Sequence, residues 1–362
     1  MSDTINLYPT IIMNNHQSYL NNKNENKKKK DYNLGIGLLR IILSFMVVMD
    51  HFYNKKKIKK FLHILYYHIP SFFLLSFYFT YKTLISFNIP KIKLRFERIL
   101  IPYFSWCIIS WIRNNIYFYI LDKKCGHSLK VFIFNLINGH MINVVLWFQN
   151  ILILSTITFL IIIFIFKNNY TFILVILAII SYLLQYSGLN YTFFYNYSSS
   201  HFCLTFGRFA EVIPNGVTGF ILASLEILTK FKNKRKEVIF FSLIIIILIT
   251  ELKIFEELKT FKYGGIRLNI AAICIFLIFS LLPFDIIQCK IIIIIIKQLS
   301  FYTGGVYFTH YLIGNGVFIR KIFKFINNDS ILGCIKIYLI SYLVSLIGAK
   351  IFKKTKFKHL FS

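Results

Sequence analysis

Residues 34–53 read LGIGLLRIILSFMVVMDHFY, an apolar stretch that carries three ionisable side chains, Arg40, Asp50 and His51. An α-helix needs about 20 apolar residues to cross the hydrocarbon core of a bilayer, so this stretch predicts a membrane span. An ionisable group inside a span costs about 2.5–3.5 kcal/mol on insertion scales, and each one is therefore a candidate functional residue. The same stretch thus predicts part of the fold and part of a site.

Arg40 and His51 are predicted to lie on one face of this helix. Eleven residue steps of about 100° return to within about 20° of the starting direction, with a rise of roughly 16 Å. An Arg side chain can hold a phosphate through two hydrogen bonds, and a His can act as a general base near neutral pH. Asp50 points about 100° away, so adjacency to His51 does not predict a dyad. The alternative is that Arg40 reaches lipid headgroups and His51 marks the end of the span.

The composition of the whole chain combines apolar residues with positive charge. Of its 362 residues 57% are hydrophobic, and 42 Lys and Arg stand against 14 Asp and Glu, a formal net charge of +28. Disordered basic tails lack such apolar content, and a soluble nucleic-acid-binding protein could not keep it in solution. Apolar stretches separated by basic clusters are typical of polytopic membrane proteins. We expect membrane lipid, and no nucleic acid, as a partner.

Ten stretches are candidate spans, which predicts an all-α, polytopic integral membrane bundle of about ten transmembrane helices. They are 34–53, 61–81, 99–121, 144–166, 170–188, 203–228, 238–252, 266–284, 299–319 and 330–352. The seventh is short, and the run Ile291–Ile296 could add a re-entrant or interfacial piece. No period of 20–50 residues repeats, which excludes a solenoid.

The charge distribution predicts the organisation around this membrane domain. Residues 1–33 are expected to form a disordered basic cytoplasmic lead, and residues 353–362 a basic cytoplasmic tail. The loops with more Lys and Arg fall on the side of both termini, so the positive-inside rule places both termini in the cytoplasm, with the domain 34–352 in the cell (plasma or inner) membrane. The basic cluster at 55–60 falls on the opposite side and is the main exception.

The sequence offers no motif for a metal or a bound nucleotide. Its six cysteines contain no CxxC pair, and no HExxH, P-loop or Gly-rich nucleotide loop occurs. Most of the cysteines fall inside apolar stretches, where they are small buried hydrophobic residues. We therefore expect neither a metal site nor a bound cofactor.

Several short motifs, in order along the chain, resemble those of the acyltransferase 3 family of multispanning membrane enzymes. They are Arg40-x10-His51, Pro70-Ser71-Phe72-Phe73 with Ser76, Arg95-x-x-Arg98 with Pro102-Tyr103, Leu146-Trp147-Phe148, Arg208 to Gly219 with Glu211 and Pro214, and Thr303 to His310 with Tyr307. Members of this family move acetyl or other short acyl groups from acyl-CoA to extracytoplasmic carbohydrate acceptors. No single motif is specific, but the ordered set is, and it covers most of the chain.

The resemblance implies roles for the first span. His51 would be catalytic, either as the general base that deprotonates a sugar hydroxyl or as the carrier of the acyl group in a two-step reaction. Arg40 would belong both to the catalytic set and to the acyl-CoA-binding set, through a phosphate or another polar group of CoA. The alternative for His51 is a structural histidine bonded to a neighbouring helix.

Two further groups of charges could bind substrates. Arg95 and Arg98 stand one turn apart at the predicted cytoplasmic mouth, where they could hold the nucleotide phosphates of acyl-CoA, although membrane-flanking Arg is also ordinary positive-inside chemistry. Arg208 and Glu211, at positions i and i+3 of the sixth span, can form an ion pair, which is commonly structural. The resemblance implies that this pair binds the acceptor.

Tyr307 and His310 lie one turn apart on one face of the ninth predicted span. Small residues beside them, among them Gly304 and Gly305, allow close helix packing. The resemblance implies that His310 is catalytic and that Tyr307 contacts the acceptor. A packing role for His310 is the alternative.

Four positions depart from the family motifs. Gly37 stands where many members have Asp, and Phe77 stands where the second-helix motif has Gly. Gly304 and Phe308 also differ from the usual pattern. Without the Asp at position 37, the Arg40 rotamer would be held less firmly. Phe77 would crowd a close helix approach. These departures leave open the alternative of a divergent or weakened enzyme.

We therefore expect 34–352 to be an acyltransferase-like domain of an integral-membrane O-acetyltransferase. It would move an acetyl or other short acyl group from acyl-CoA, a co-substrate, to a hydroxyl of an extracytoplasmic carbohydrate such as a polysaccharide. The alternative is a secondary transporter or flippase for a sugar or lipid-linked sugar, although the two related halves frequent in transporters are not found. The sequence determines neither the acceptor, the acyl group nor the oligomeric state.

Overall fold

The described part of the chain is helical throughout. The structure, a computed structural model, describes residues 32–53, 67–120, 129–138, 146–187, 201–251, 265–284, 289–315 and 330–361, and these ranges contain no β-strand. The α-helices, numbered in chain order, are α1 (Leu34–Phe52), α2 (His68–Ile85), α3 (Ile89–Ile120), α4 (Leu129–Asn138), α5 (Leu146–Phe166), α6 (Tyr170–Tyr186), α7 (His201–Ser224), α8 (Ile227–Lys230), α9 (Arg235–Glu251), α10 (Ile266–Leu281), α11 (Lys290–Phe301), α12 (Thr303–Asn315) and α13 (Ile331–Ile351). The all-α expectation is confirmed for these ranges. The predicted lead up to residue 31 and the cluster at 55–60 lie outside them.

The predicted membrane bundle is supported, but the number of its spans is not. Within the described ranges, three helical stretches are long and apolar enough to cross a membrane, Leu34–Phe52, Leu146–Tyr186 and Ile331–Ile351. The pair α11 and α12 adds a fourth if it counts as one bent span. Helices such as α2, α3 and α7 contain charged and polar residues that lower their hydropathy, so the count of ten stays a prediction.

Two breaks in the helices fall where the sequence indicated them. A 3-10 turn at Lys167–Asn169 separates α5 from α6, and Lys167 has a left-handed φ of 37°. The two helices contact each other, as expected for the separate stretches 144–166 and 170–188. α11 meets α12 at a bend of 62°, which gives the Ile291–Ile296 run the geometry of a broken span or a re-entrant piece.

Glycines on α7 allow this helix to lie along α2. A Cβ atom at Gly219 would clash with the backbone of Leu74, and one at Gly216 would lie 3.0 Å from the Phe77 ring. The Phe77 side chain, expected to crowd a close helix approach, is fully buried in the space left by Gly216. That expectation was wrong because the missing glycine on α2 is compensated by glycines on its neighbour.

The largest cluster of buried side chains joins α2, α3, α5, α7 and α12. Its members include Phe73, Tyr103, Trp147, Phe220 and Tyr307. Aromatic rings of this size dominate the packing energy of a core. The cluster therefore fixes the relative positions of the helices that carry the predicted site residues.

The segment 353–361, predicted as a basic tail, packs back onto the helices. The Lys356 ammonium forms an ion pair with the Glu97 carboxylate at 2.7 Å, and this hydrogen bond lowers the pKa of Glu97 below its usual value. The Trp106 indole N–H donates a hydrogen bond of 3.4 Å to the carbonyl of Leu360, which is buried. The positive charge of the segment gave no sign of this packing.

Candidate active site

Two histidines from distant parts of the sequence stand side by side. The ring centroids of His51, near the end of α1, and His310, on α12, are 5.3 Å apart with an angle of 33° between the rings. α1 contacts α12 closely because Gly314 leaves room for the Phe52 ring. His310 is fully buried and His51 is half-buried. The structure thus brings together two of the three predicted catalytic residues.

The hydrogen bonding of His310 determines which ring nitrogen can act as a base. Its Nδ1 lies 3.0 Å from the carbonyl oxygen of Val306, one turn earlier on α12. A carbonyl only accepts hydrogen bonds, so Nδ1 carries the proton and Nε2 carries the lone pair. Nε2 is buried and has no hydrogen-bond partner in the described part of the chain. An unfilled acceptor of this kind is available to a substrate hydroxyl.

Aromatic side chains extend from this pair towards α5. The Tyr307 ring centroid lies 6.1 Å from that of His310 and 5.3 Å from that of Phe148. Phe148 in turn contacts the indole ring of Trp147, with centroids 6.3 Å apart. The Leu146-Trp147-Phe148 motif and the Tyr307 position, predicted separately, therefore form one continuous wall.

The charged pair on α7 meets the other end of this wall. Arg208 Nη1 and Glu211 Oε2 are 3.1 Å apart, and the Glu211 side chain is fully buried. The Arg208 guanidinium lies over the Trp147 ring at 4.9 Å from its centroid. The predicted i,i+3 ion pair is confirmed, and its position against Trp147 connects it to the aromatic wall.

The three arginines assigned to acyl-CoA have different surroundings. α1 is unbroken between Arg40 and His51, as the predicted separation of roughly 16 Å requires, and Arg40 is half-buried. Arg95 turns into the bundle, where it donates to the hydroxyls of Ser76 at 3.1 Å and Thr156 at 3.2 Å. Arg98 is exposed. Arg95 and Arg98 therefore do not present one shared surface, although they stand one turn apart.

Sequence reasoning assigned no role to three neighbours of the histidine pair. The Tyr311 ring lies 5.9 Å from the His51 ring, and the Arg113 guanidinium lies 5.9 Å over the centroid of Tyr311. His68 is buried at the start of α2, which follows the first span in the chain. The signal for Arg113 was its place inside the apolar stretch 99–121, but only the fold shows what it faces.

No group of three His, Cys, Asp or Glu side chains in the described ranges is arranged to hold a metal ion. The described side chains of this site include the imidazole pair, the aromatic wall and the Arg208–Glu211 pair. A base beside a wall with polar edges suits proton abstraction from a hydroxyl. This is the chemistry that acyl transfer to a sugar requires.

Comparison with known proteins identifies the family of the chain. A search of curated proteins and a search of solved structures gave no match. The profile of the acyltransferase 3 family, described as an acyltransferase domain, matches residues 33–350. This range includes the histidine pair, the aromatic wall and the arginines described above, so the chain belongs to the acyltransferase 3 family.

Proposed function

We propose that the protein is a membrane O-acyltransferase that moves an acetyl or other short acyl group from acyl-CoA to a hydroxyl of an extracytoplasmic carbohydrate. The observation that carries this proposal is the contact between the His51 and His310 rings at 5.3 Å, with an acceptor nitrogen on His310 that has no donor among the described residues. A fully buried, unfilled acceptor beside a second imidazole is costly for stability alone, and a substrate hydroxyl would satisfy it.

In the proposed reaction a hydroxyl next to the acceptor hydroxyl on the same sugar donates a hydrogen bond to Nε2 of His310, which orients the acceptor. The acceptor hydroxyl itself donates to His51, the more exposed of the two histidines, which takes its proton while the sugar oxygen attacks the thioester carbonyl. The carbon–sulfur bond of the thioester breaks and the CoA thiolate leaves. The thiolate then takes up the proton that His51 holds. The products are the sugar ester and free CoA. The second route, in which His51 first carries the acyl group, uses the same residues in two steps.

The donor would approach from the side of Arg40 and Arg98. Their guanidinium groups would bind the phosphates of CoA, and the pantetheine arm would extend along α1 towards His51. Arg95, which donates to Ser76 and Thr156, would support this mouth from inside the bundle. The roughly 16 Å between Arg40 and His51 suits such an extended arm. This direction agrees with the positive-inside prediction, by which this mouth would face the cytoplasm.

The acceptor would lie along the aromatic wall. Tyr307 supplies an apolar face with a polar edge, and Arg208 with Glu211 offers a donor and an acceptor beside Trp147. Arg208 and Glu211 would then bind hydroxyl groups of the sugar without a net charge. The ion pair can stabilise the packing of α7 and also bind the sugar, because it lies at the end of the aromatic wall.

Transfer of labelled acetyl from acetyl-CoA to surface glycan in membranes that contain the protein tests the proposal. His51→Ala and His310→Ala should each lower the rate by about 10²–10⁴-fold, and Arg40→Ala should mainly raise KM for acetyl-CoA. Phe240→Ala, at an exposed position of α9, is the control for expression. Transfer at the wild-type rate by both histidine variants would contradict the mechanism. Sugar uptake into vesicles without any use of acetyl-CoA would favour the transporter instead.

A further inference from the structure

Arg113 on α3 is a second guanidinium close to the histidine pair. Its guanidinium lies 5.9 Å over the ring of Tyr311, and the same ring contacts the His51 ring, with centroids 5.9 Å apart. Arg113 is half-buried, and it lies inside the apolar stretch 99–121. A cation inside an apolar stretch is energetically unfavourable, so Arg113 is a candidate functional residue.

The described partners of Arg113 do not neutralise its charge. Its Nε and Nη2 donate to the amide oxygen of Asn114 at 3.2 and 2.8 Å, and this acceptor is neutral. Among the described residues, no carboxylate forms an ion pair with Arg113, in contrast to Arg208, which pairs with Glu211. Within these ranges the two Nη1 donors and the second Nη2 donor have no acceptor, and this outer edge of the fork matches the two oxygens of an anion.

Both Arg113 and His51 contact the ring of Tyr311, which places an anion bound at this edge in the neighbourhood of His51. Tyr311 follows His310 directly on α12, and its centroid lies 5.9 Å from the Arg113 guanidinium and 5.9 Å from the His51 ring. A sugar whose acidic group binds Arg113 could place a hydroxyl of the same unit or of the next unit at His51. Arg208 could not serve this purpose equally, because Glu211 neutralises it.

We propose that Arg113 binds an acidic group of the acceptor, a carboxylate or a phosphate ester, and that the protein prefers acidic sugars as substrates. This inference rests on the proposed acyl transfer at His51. Arg113 is a specificity-determining residue in this scheme, since it touches the substrate away from the reacting atoms. A lipid headgroup offers the same phosphate chemistry, so the experiment must separate the two sources.

The test uses the full chain, purified in an uncharged detergent that contains no phosphate. Labelled acetyl transfer is measured with a glucuronic-acid-terminated disaccharide, its glucose-terminated counterpart and a glucose-phosphate disaccharide. The wild type should use the acidic acceptors about 10- to 100-fold better in kcat/KM, as expected for a charge-assisted pair. Arg113→Gln should lose this preference but keep its rate with the neutral sugar, and Arg113→Lys should keep part of it.

Lys130→Gln is the matched control for a general loss of positive charge. Lys130 is exposed at the start of α4, which packs along the same part of α3, as the contact of Phe132 with Trp111 at 5.3 Å shows. This variant should keep the preference for acidic acceptors. Equal use of acidic and neutral sugars by the wild type, or a preference that survives Arg113→Gln, would overturn the inference.

Two further readouts separate the possible failures. If added phosphatidylglycerol stabilises the wild type but not Arg113→Gln, and acidic sugars show no advantage, Arg113 is a lipid site and the inference is overturned. If no acceptor is acetylated, binding is followed by tryptophan fluorescence without acetyl-CoA. Arg113-dependent binding of the glucuronic-acid disaccharide would then support the anion site although acyl transfer has failed, and its absence would overturn both.

Discussion

Replacing Gly348 by Ala tests whether the segment 353–361 is fixed against the helices. A Cβ atom at this position of α13 would lie 2.7 Å from three carbon atoms of the Phe361 ring. The ring is held by its neighbours, because it stacks on Phe352 with centroids 5.9 Å apart and meets Trp106 at 6.2 Å. We therefore expect the substitution to overpack this contact.

Two opposing terms set the change in the free energy of unfolding. Ala is favoured over Gly by about 0.8–1 kcal/mol inside a helix, and overpacking a tight contact costs about 1–3 kcal/mol. Gly348→Ala should therefore range from neutral to about 2 kcal/mol destabilising in the wild type. In a Phe361→Ala background the ring is absent and only the helix term remains, so the same substitution should stabilise by up to about 1 kcal/mol. The sign of the effect depends on the ring.

Gly305 on α12 supplies the matched control. A Cβ atom there would lie 2.6 Å from the backbone oxygen of Phe361 and 2.6 Å from the Ser345 hydroxyl oxygen. Neither atom is removed by Phe361→Ala. Gly305→Ala should therefore destabilise the protein in both backgrounds, with a much smaller coupling to Phe361→Ala than Gly348→Ala shows.

The three single and two double variants can be compared by thermal unfolding of the purified protein in detergent at one fixed scan rate. A change of 1 kcal/mol corresponds to a shift of about 1–2 °C in a chain of this size. The reasoning is refuted if Gly348→Ala shifts Tm equally with and without the Phe361 ring. It is also refuted if Phe361→Ala relieves both glycine substitutions alike, because the segment would then move as a whole.

Other substitutions test the packing and charges around the site. Arg208→Gln and Glu211→Gln each remove one partner of a buried ion pair and should cost about 3–5 kcal/mol, with a Met and Leu double variant recovering part of the lost Tm. Gly219→Ala should lower Tm strongly, because the new methyl group meets backbone of α2 that no rotamer change can move, and an unchanged Tm would contradict the close helix approach. The lysine partner lowers the pKa of Glu97, so its stabilising contribution is present at neutral pH and is lost as the pH falls through that lowered value. The Tm difference between the wild type and Glu97→Gln should therefore shrink towards acidic pH.

Local features of the fold could be predicted from the sequence because their causes are local. The apolar stretch 34–53 corresponds closely to α1, and the polar Lys167–Asn169 turn separates α5 from α6. The i,i+3 spacing of Arg208 and Glu211 was sufficient to predict their ion pair. Each of these depends on neighbours within one or two helical turns.

Contacts between helices could not be predicted in the same way. The pairing of His51 with His310 depends on how α1 and α12 pack, which hydropathy does not encode. Arg113 was visible as a charge in an apolar stretch, yet its position behind Tyr311 is a property of three helices together. The packing of the segment 353–361 was hidden because its lysines predicted solvent exposure, whereas its last aromatic residue is what holds it.

The short count of clear membrane spans follows from the presence of the site itself. The clear spans include α1, α5 with α6, and α13, whereas α3 and α7, which are not among them, contribute Arg95, Arg113, Arg208 and Glu211. Each such residue lowers the hydropathy of its helix. It is stable inside a membrane only where it pairs with another group or lines a cavity. α1 is the exception that passes with charges, because its remaining residues are almost all apolar. In a membrane enzyme of this kind, a helix that narrowly fails as a span is therefore a better place to look for substrate contacts than one that clearly passes.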